Sequence, residues 1–590
     1  MHQFINLCTI LNIEKMKKVT IILLQLLVSI NIAAQSFDAE NSLRKVIKQI
    51  TTSDSIRYMD PTDFGYPHYM VAASEMMGEM YPAGGPSYDW FTAYNSGITD
   101  SYRVALISWY TSYNIINKCN SFIKTYSKEV KNESSQERAA LGAVYAIRAY
   151  FYYILMVLYE PVSNIYTDCS GVIGLTVPLV DENTTEEKLA NNPRISHSEM
   201  IKFILSDLDI AENALTNFHF EDKTIPNLSV VYGIKAKVYL WDEDFSNAAK
   251  YARKAIDEAE SRGAFPLSAT EWEEPTTGFN TARPAWMWYV HPKATSIYSH
   301  FISWMSPEAE DNGYASVTLP VIDRALYEKI GEFDFRKKTF LNPNKNDYYR
   351  YLTALDQSFI TNAPDYLAIK FRRSLVHMGW VEDKYGGYST DITDYDLPIM
   401  RIEEMYLIEA EAVGVSEGLS NGINKLNGFV KKYRDPEYNF ITEELRTFQI
   451  EVLNQMHIEF WGEGKAFAIA KRLKPGVMQN YTGTNAPFEY LINCKGIKPV
   501  WNMVIPQDAI EKNKALAGKN NPTTSDYISI PSPVGQYSPG KYKETGIDEV
   551  KYEYNKEIIY NIDGKKLNHY QKGINIVRTK DGKAKKIAVK

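Results

Sequence analysis

The chain has 590 residues, 45% of them hydrophobic and 23% charged, with a net charge of −7. That length and balance suit a folded protein with a large core, and an acidic total without a basic block argues against a nucleic-acid partner. Forty-two tyrosines and ten tryptophans allow either a tyrosine-rich core or an aromatic recognition surface; composition does not choose between them.

In chain order, residues 1–34 come first. Met16-Lys17-Lys18, the apolar run 19–32 and Ala33-Ala34-Gln35 have the three parts of a secretory signal: charged start, short apolar run, small residues at the cut. The run is too short to span a bilayer. Translation is expected to start at Met16 and cleavage to follow Ala34 or Gln35, giving an unlipidated mature chain, since no cysteine stands at the cut. No later apolar run approaches the length of a membrane span. Cys119, Cys169 and Cys494 lack metal-ligand spacing and allow at most one disulfide.

Residues 105–160 read as a helix pair broken near Asn132-Glu133-Ser134-Ser135, the second helix apolar nearly all round and ended by Pro161. A helix over 196–218 follows, with Ser196 as N-cap and Glu199 at capping-box spacing. Another pair covers 229–260. There Ala236, Tyr239, Ala248 and Ala255 take the small and aromatic positions of a tetratricopeptide repeat, while Lys235 and Glu260 depart from it. Stacked pairs of this kind form one continuous core.

Residues 263–398 differ: they are rich in Gly, Pro, Asn, Trp and Tyr, without sustained periodicity. Irregular segments on a rigid frame are where binding residues gather. From Leu397 to Ala412 the chain reads as a helix with Pro398 in its first turn, and further helices follow over 421–433, 443–461 and 465–474. The tail 546–590 alternates apolar and polar residues around Asp563-Gly564 and Asp581-Gly582, which predicts β-hairpins. The fold class expected is therefore mainly α: helical repeats, a long aromatic-rich insert, and a small C-terminal β appendage.

Catalytic constellations are sparse. There is no HExxH, P-loop or GxGxxG, so no metal or cofactor is expected. Gly414-Val415-Ser416-Glu417-Gly418 fits the nucleophile elbow GxSxG, but an elbow joins a strand to a helix, whereas here helices are predicted on both sides. An inter-helix turn is the expectation. Arg148 and Glu409, each in an apolar setting, are expected to be paired structural charges. The aromatic residues carry the stronger signal: Tyr81, Tyr88 and Trp90 in a turn-rich loop, and Trp286, Trp288, Tyr298, Trp304, Trp380 and Tyr385 in the insert. Sugar rings stack on such faces, and these nine are the candidate ligand-binding residues. The alternation Trp286-Met287-Trp288 also predicts a strand with one buried face.

Five segments, in order, resemble the SusD/RagB family of nutrient-binding outer-membrane proteins of Bacteroidetes. They are Trp109-Tyr110-x-x-Tyr113-x-x-Ile116-Asn117; Arg148-Ala149-Tyr150-Phe151-Tyr152 with Pro178-Leu179 beyond it; Arg401 to Ala412, similar to R-x-x-E-x-Y-L-I-x-A-E-A; His457 to Gly464, similar to E-F-x-x-E-G; and Val504 to Asn513, similar to I-P-x-x-E-I-x-x-N. Ala466 and Ile469 stand where many members have Arg and Asp, and Gln35-Ser36 where a lipid-bearing cysteine is usual. The resemblance covers roughly residues 37–530. It implies a tetratricopeptide-like helical domain over 35–540 that binds a nutrient, a glycan or else a peptide, without chemistry. It also implies a SusC-like TonB-dependent transporter as partner, and residence on the extracellular face of the outer membrane through that partner rather than a membrane span. Residues 546–590 resemble a type IX secretion sorting tail. The rival reading is a secreted hydrolase using Ser416.

Overall fold

The computed structural model of the protein describes residues 39–51, 65–83, 98–127, 135–273, 279, 281–292, 305, 319–349, 357–371, 378–382, 388–392, 396–529, 558–561, 566–567, 572–578 and 584–589. Helices build the frame: α1 (Tyr66–Met77), α2 (Arg103–Tyr126), α3 (Ser135–Tyr159), α4 (His197–Leu215), α5 (Leu228–Trp241), α6 (Phe245–Ser261), α7 (Ile402–Ser416), α8 (Leu419–Tyr433), α9 (Leu445–Glu459) and α10 (Phe467–Leu473). From α2 to α8 each helix packs on the next, and α7 also packs on α9. The mainly helical expectation holds, with helix ends within a few residues of those read from the sequence except at Leu397.

At the centre lies α3. Ala, Gly, aromatic and branched apolar residues make it up, and every residue from Ala139 to Tyr159 is buried. By length and hydropathy alone this helix is long and apolar enough to cross a membrane, contrary to the expectation that no later stretch approached that, but its apolar window is wholly inside the protein. Arg148, in the middle of it, makes four hydrogen bonds: Nε and Nη2 donate to the Asp207 carboxylate at 2.8 Å each, and Nη1 to Asn120 at 2.8 Å and Glu182 at 2.6 Å. Glu409 is likewise paired, accepting from Arg253 at 2.9 Å and Lys425 at 2.8 Å. Both are structural charges, as expected.

The start of α4 shows how a local signal becomes a joint. Ser196 and Glu199 close both arms of the capping box, worth about 1 kcal/mol. The next residue, His197, then joins three helices: Nδ1 meets Glu160 at the end of α3 at 2.9 Å, and Nε2 meets Asp242 at the end of α5 at 2.9 Å. The hydrogen bond to Glu160, with the charges of both carboxylates, outweighs burial and raises the imidazole from 6.5 to about 9. A raised folded value means the contribution is complete below pH 6.5 and is lost as pH rises through about 9. The ring is partly open to water, so screening reduces its worth to about 1–2 kcal/mol. His197→Gln is expected to lower the unfolding free energy by that amount below pH 6.5 and to match wild type above the folded value of about 9. Denaturant melts of both proteins across that range measure it; a difference that does not depend on pH would show that the ring only packs.

Ser416 ends α7, and its hydroxyl donates back to Ala412 O at 2.7 Å. The glycines around it have separate packing reasons. A Cβ on Gly422 would strike the Gly414 backbone, and one on Gly414 would strike Phe448, so both helix crossings depend on missing side chains. Gly418, at φ 111°, makes the turn into α8. No strand feeds the serine, so the elbow geometry is absent.

The segment from Leu397 corrects one expectation. Leu397–Arg401 is a strand, β4, and the helix begins only at Ile402. Pro398 disfavours a helical Leu397 just as well as it suits a first helical turn, and here β4 pairs antiparallel with β2 (Trp286–Val290), placing Trp286 beside Arg401 and Val290 beside Leu397. A second ladder joins β1 (Met80–Ala83) to β3 (Leu319–Ile322), with Met80 beside Ile322 and Ala83 beside Leu319. Further on, Met378–Glu382 and Tyr388–Ile392 form a hairpin. The tail strands Ile558–Asn561, Lys566–Leu567, Gly573–Arg578 and Ala584–Val589 make one antiparallel sheet, as the two Asp-Gly pairs predicted; the turns themselves lie outside the described residues. Cys119, Cys169 and Cys494 are buried free thiols.

Candidate functional site

Of the nine candidate aromatics, three are core. Tyr81, Trp286 and Trp288 are each 0% exposed. Tyr81 donates to Asp323 at 3.1 Å and sets its ring edge on Tyr490. Trp288 donates to Thr224 O at 3.1 Å and packs edge-on against Tyr150, 5.2 Å away. Residues 286–288 are buried on both faces rather than one: Trp288 packs on Tyr150 of α3, while Trp286 lies beside Phe279. These three rings therefore offer no face to a ligand. Tyr88, Trp90, Tyr298, Trp304 and Tyr385 lie outside the described residues. Trp380 is in the hairpin strand, opposite Thr390.

What the described residues do build is a common root for the aromatic segments. The turn 459–464, at the end of α9, grips both ladders. Trp461 Nε1 donates to Glu79 O at 2.9 Å, just before β1, while Arg401 at the end of β4 donates to Glu459 at 3.0 Å and Glu463 at 2.9 Å. Each ladder then runs four residues away from the turn, about 13 Å at strand rise. Its far end is Ala83 beside Leu319 in one case and Val290 beside Leu397 in the other. Segment 84–97, with Tyr88 and Trp90, leaves from the first. Segment 293–318, with Tyr298 and Trp304, leaves from the second and returns to the first. Within it, Met305 is 1% exposed, and its Cε lies 2.7 Å from where a Cβ on Gly462 would be. The residue after Trp304 is thus seated on the same turn.

The turn is rigid because it is the centre of a buried ion cluster. Glu459 accepts from Arg336 at 3.0 Å, from Arg434 at 2.7 and 2.9 Å, and from Arg401; Glu463 accepts from Arg401 and from Lys370 at 2.7 Å; Arg336 also meets Asp334, and Arg434 meets Glu403 at 3.1 Å. Four cations face four carboxylates, and all are nearly or wholly inaccessible to solvent. Burial alone would raise Glu459, but Arg434, Arg401 and Arg336 outweigh it and hold its carboxyl far below the usual range. Burial and the neighbouring Glu459 charge raise Glu403 instead. The sequence offered Arg401, Glu459 and Glu463 through motif wording only. Arg336, Lys370 and Arg434 carried no signal, since each stands among other basic residues and the three lie far apart in the chain.

Among the described residues no group of His, Cys, Asp and Glu could hold a metal ion, and the Ser416 hydroxyl is spent on its own helix. Two family profiles match: SusD-like_3, "starch-binding associating with outer membrane", over residues 65–240, and SusD_RagB, "SusD family", over 304–523. Comparison with curated proteins returns no match. Among solved structures, a SusD-like carbohydrate binding protein from Bacteroides vulgatus superposes with a TM-score of 0.63 at 17% identity, covering 83% of this chain and 99% of that one. A SusD superfamily protein from Bacteroides thetaiotaomicron gives 0.58 at 16% identity, with 82% and 99% covered. Surface glycan-binding protein A from Bacteroides uniformis gives 0.57 at 15%, again with 82% and 99%. At such identities the superpositions speak for the fold; the profile matches speak for descent, and they take in the α2–α3 pair, the Arg401 and Glu459 motifs and the closing Asn513. The chain belongs to the SusD/RagB family.

Proposed function

We propose that the protein captures a glycan at the outer face of the outer membrane and delivers it to a SusC-like TonB-dependent transporter, performing no chemistry itself. The observation that carries this reading is the common root of the two ladders, from which the segments bearing Tyr88, Trp90, Tyr298 and Trp304 depart. Strand ends fixed by a buried ion cluster give those segments fixed points of departure, which is what a preorganised site needs. Family membership supports the glycan, and the names of relatives such as the surface glycan-binding protein point the same way. Stacking of sugar faces on two or three rings at about 0.5–1.5 kcal/mol each gives weak binding, suited to cargo that must be released. In this reading the transporter holds the protein at the surface.

Trp90→Ala and Trp304→Ala are each expected to weaken cargo binding by about 1–3 kcal/mol with unchanged melting, while Ser416→Ala leaves binding unchanged. Calorimetry against a panel of plant and host oligosaccharides, with a casein digest as the peptide arm, measures this. Binding by the digest alone moves the cargo to peptides. Normal binding with earlier melting in both Trp variants removes these rings from the site, and hydrolysis lost in Ser416→Ala would establish an enzyme.

A further inference from the structure

A cleft of about 420 Å³ opens beside α2, and Tyr81, Trp286 and Trp288 take no part in its lining. Tyr110, Tyr113, Asn114 and Asn117 line it at helical spacing, so one stripe of α2 presents rings and amides in turn. The rings are held in place. Trp109 packs on Tyr113 at 4.7 Å and on Tyr159 at 5.1 Å, and the Tyr113 hydroxyl donates to Pro178 O at 2.6 Å. Facing them are Leu189, which is 42% exposed, and the closing motif. Asn192 and Asn513 staple that far wall: Asn192 N donates to Asn513 Oδ1 at 2.8 Å, and Asn513 Nδ2 to Asn192 O at 2.6 Å.

The lining selects a ligand by what it contains. Its one charged residue, Lys512, is already paired with Asp508 at 3.0 Å, and neither a carboxylate nor a guanidinium lines the cleft. A cation finds no anion there, and a phosphate or carboxylate finds no fork of donors. Asn114 Nδ2 is spent on Gln49 at 3.1 Å, Asn192 Nδ2 on Leu179 O at 2.7 Å and the Asn513 amide on the Asn192 backbone, so the Asn117 amide, which both donates and accepts, is the lining group that matches a hydroxyl. Aromatic walls match the flat C–H faces of a ring, and the volume is that of a small-ligand pocket with a few polar groups on apolar walls. We propose that this cleft is a second binding site, for a neutral saccharide unit, independent of the loop-borne aromatics.

The test uses methyl glycosides of glucose, galactose, mannose and xylose with the full mature chain, read by saturation-transfer NMR and titration. The double variant Trp90→Ala/Trp304→Ala keeps the signal if the cleft binds, whatever becomes of the loop site. Leu189→Trp, which fills the cleft from its exposed lip, weakens affinity by about tenfold or more, and Asn117→Ala, at an exposed position, weakens it without touching the core. Thermal melts confirm that each variant is folded. Saturation transfer that survives Leu189→Trp but vanishes in the double variant assigns the binding to the loops and overturns the proposal. So does binding of indole with none of the methyl glycosides, which would make the cleft a seat for an aromatic side chain of a partner. Absence of any transfer to the methyl glycosides in the wild-type protein overturns it outright.

Discussion

Replacing Glu459 by Gln is expected to destabilise the protein by about 3–5 kcal/mol, although the substitution changes neither size nor shape. The carboxylate is 0% exposed and receives Arg336, Arg401 and Arg434. Removing one buried charge leaves its partners uncompensated in a low dielectric, which costs far more than the intact pair contributes. With four cations against four carboxylates, the loss would leave a net positive centre at the turn that holds both ladders. The sign of the pH dependence follows from the depressed carboxyl: its contribution is present above the ordinary glutamate value of 4.5 and is lost only as pH falls toward the folded value, far lower. The gap between wild type and Glu459→Gln should therefore be full at neutral pH and narrow only in acid. Arg262→Ala breaks an exposed pair with Glu258 on one helix, and is expected to cost no more than about 0.5 kcal/mol. Denaturant midpoints for both variants decide it; equal small shifts would mean that water reaches the cluster.

The same cluster shows which parts of the protein were legible in its sequence. Helices were, because their evidence is local: the Ser196–Glu199 box, the apolar run of α3 and the glycines around Ser416 each lie within a few residues of what they determine. Arg148 and Glu409 could be read as paired charges because an apolar helix admits no other kind. The strand Leu397–Arg401 was not legible, since Pro398 is compatible with a first helical turn and with extended backbone, and the choice was made by pairing with Trp286–Val290, distant in the chain. Arg336, Lys370 and Arg434 acquire meaning only when the fold brings them to Glu459 and Glu463. The stripe of Trp109, Tyr110 and Tyr113 reads as core packing; that its far side meets Leu189 and Leu516 across an open cleft is a fact of tertiary structure. Aromatic residues are the hardest case, because a tryptophan that stacks on a sugar and one that fills a core leave the same mark in sequence.

Trp288→Ala separates those two roles. The side chain is 0% exposed, its Nε1 donates to Thr224 O at 3.1 Å, and its ring meets Tyr150 edge-on. Truncation leaves a large cavity between β2 and α3 and an unpaired carbonyl, and is expected to cost about 3–5 kcal/mol. Cargo affinity per folded molecule should not change, the reverse of the pattern expected for Trp90 and Trp304. Trp286→Phe is the milder companion. Trp286 is equally buried, but its Nε1 has no hydrogen-bond partner among the described residues, so the smaller ring gives up volume without giving up a bond. It is expected to cost clearly less than Trp288→Phe, which loses the bond to Thr224 as well. Denaturant melts rank the variants, and calorimetry on the folded fraction reads the affinity. Trp288→Ala protein that melts like wild type but no longer binds cargo would place the ring against the ligand and reverse its assignment to the core.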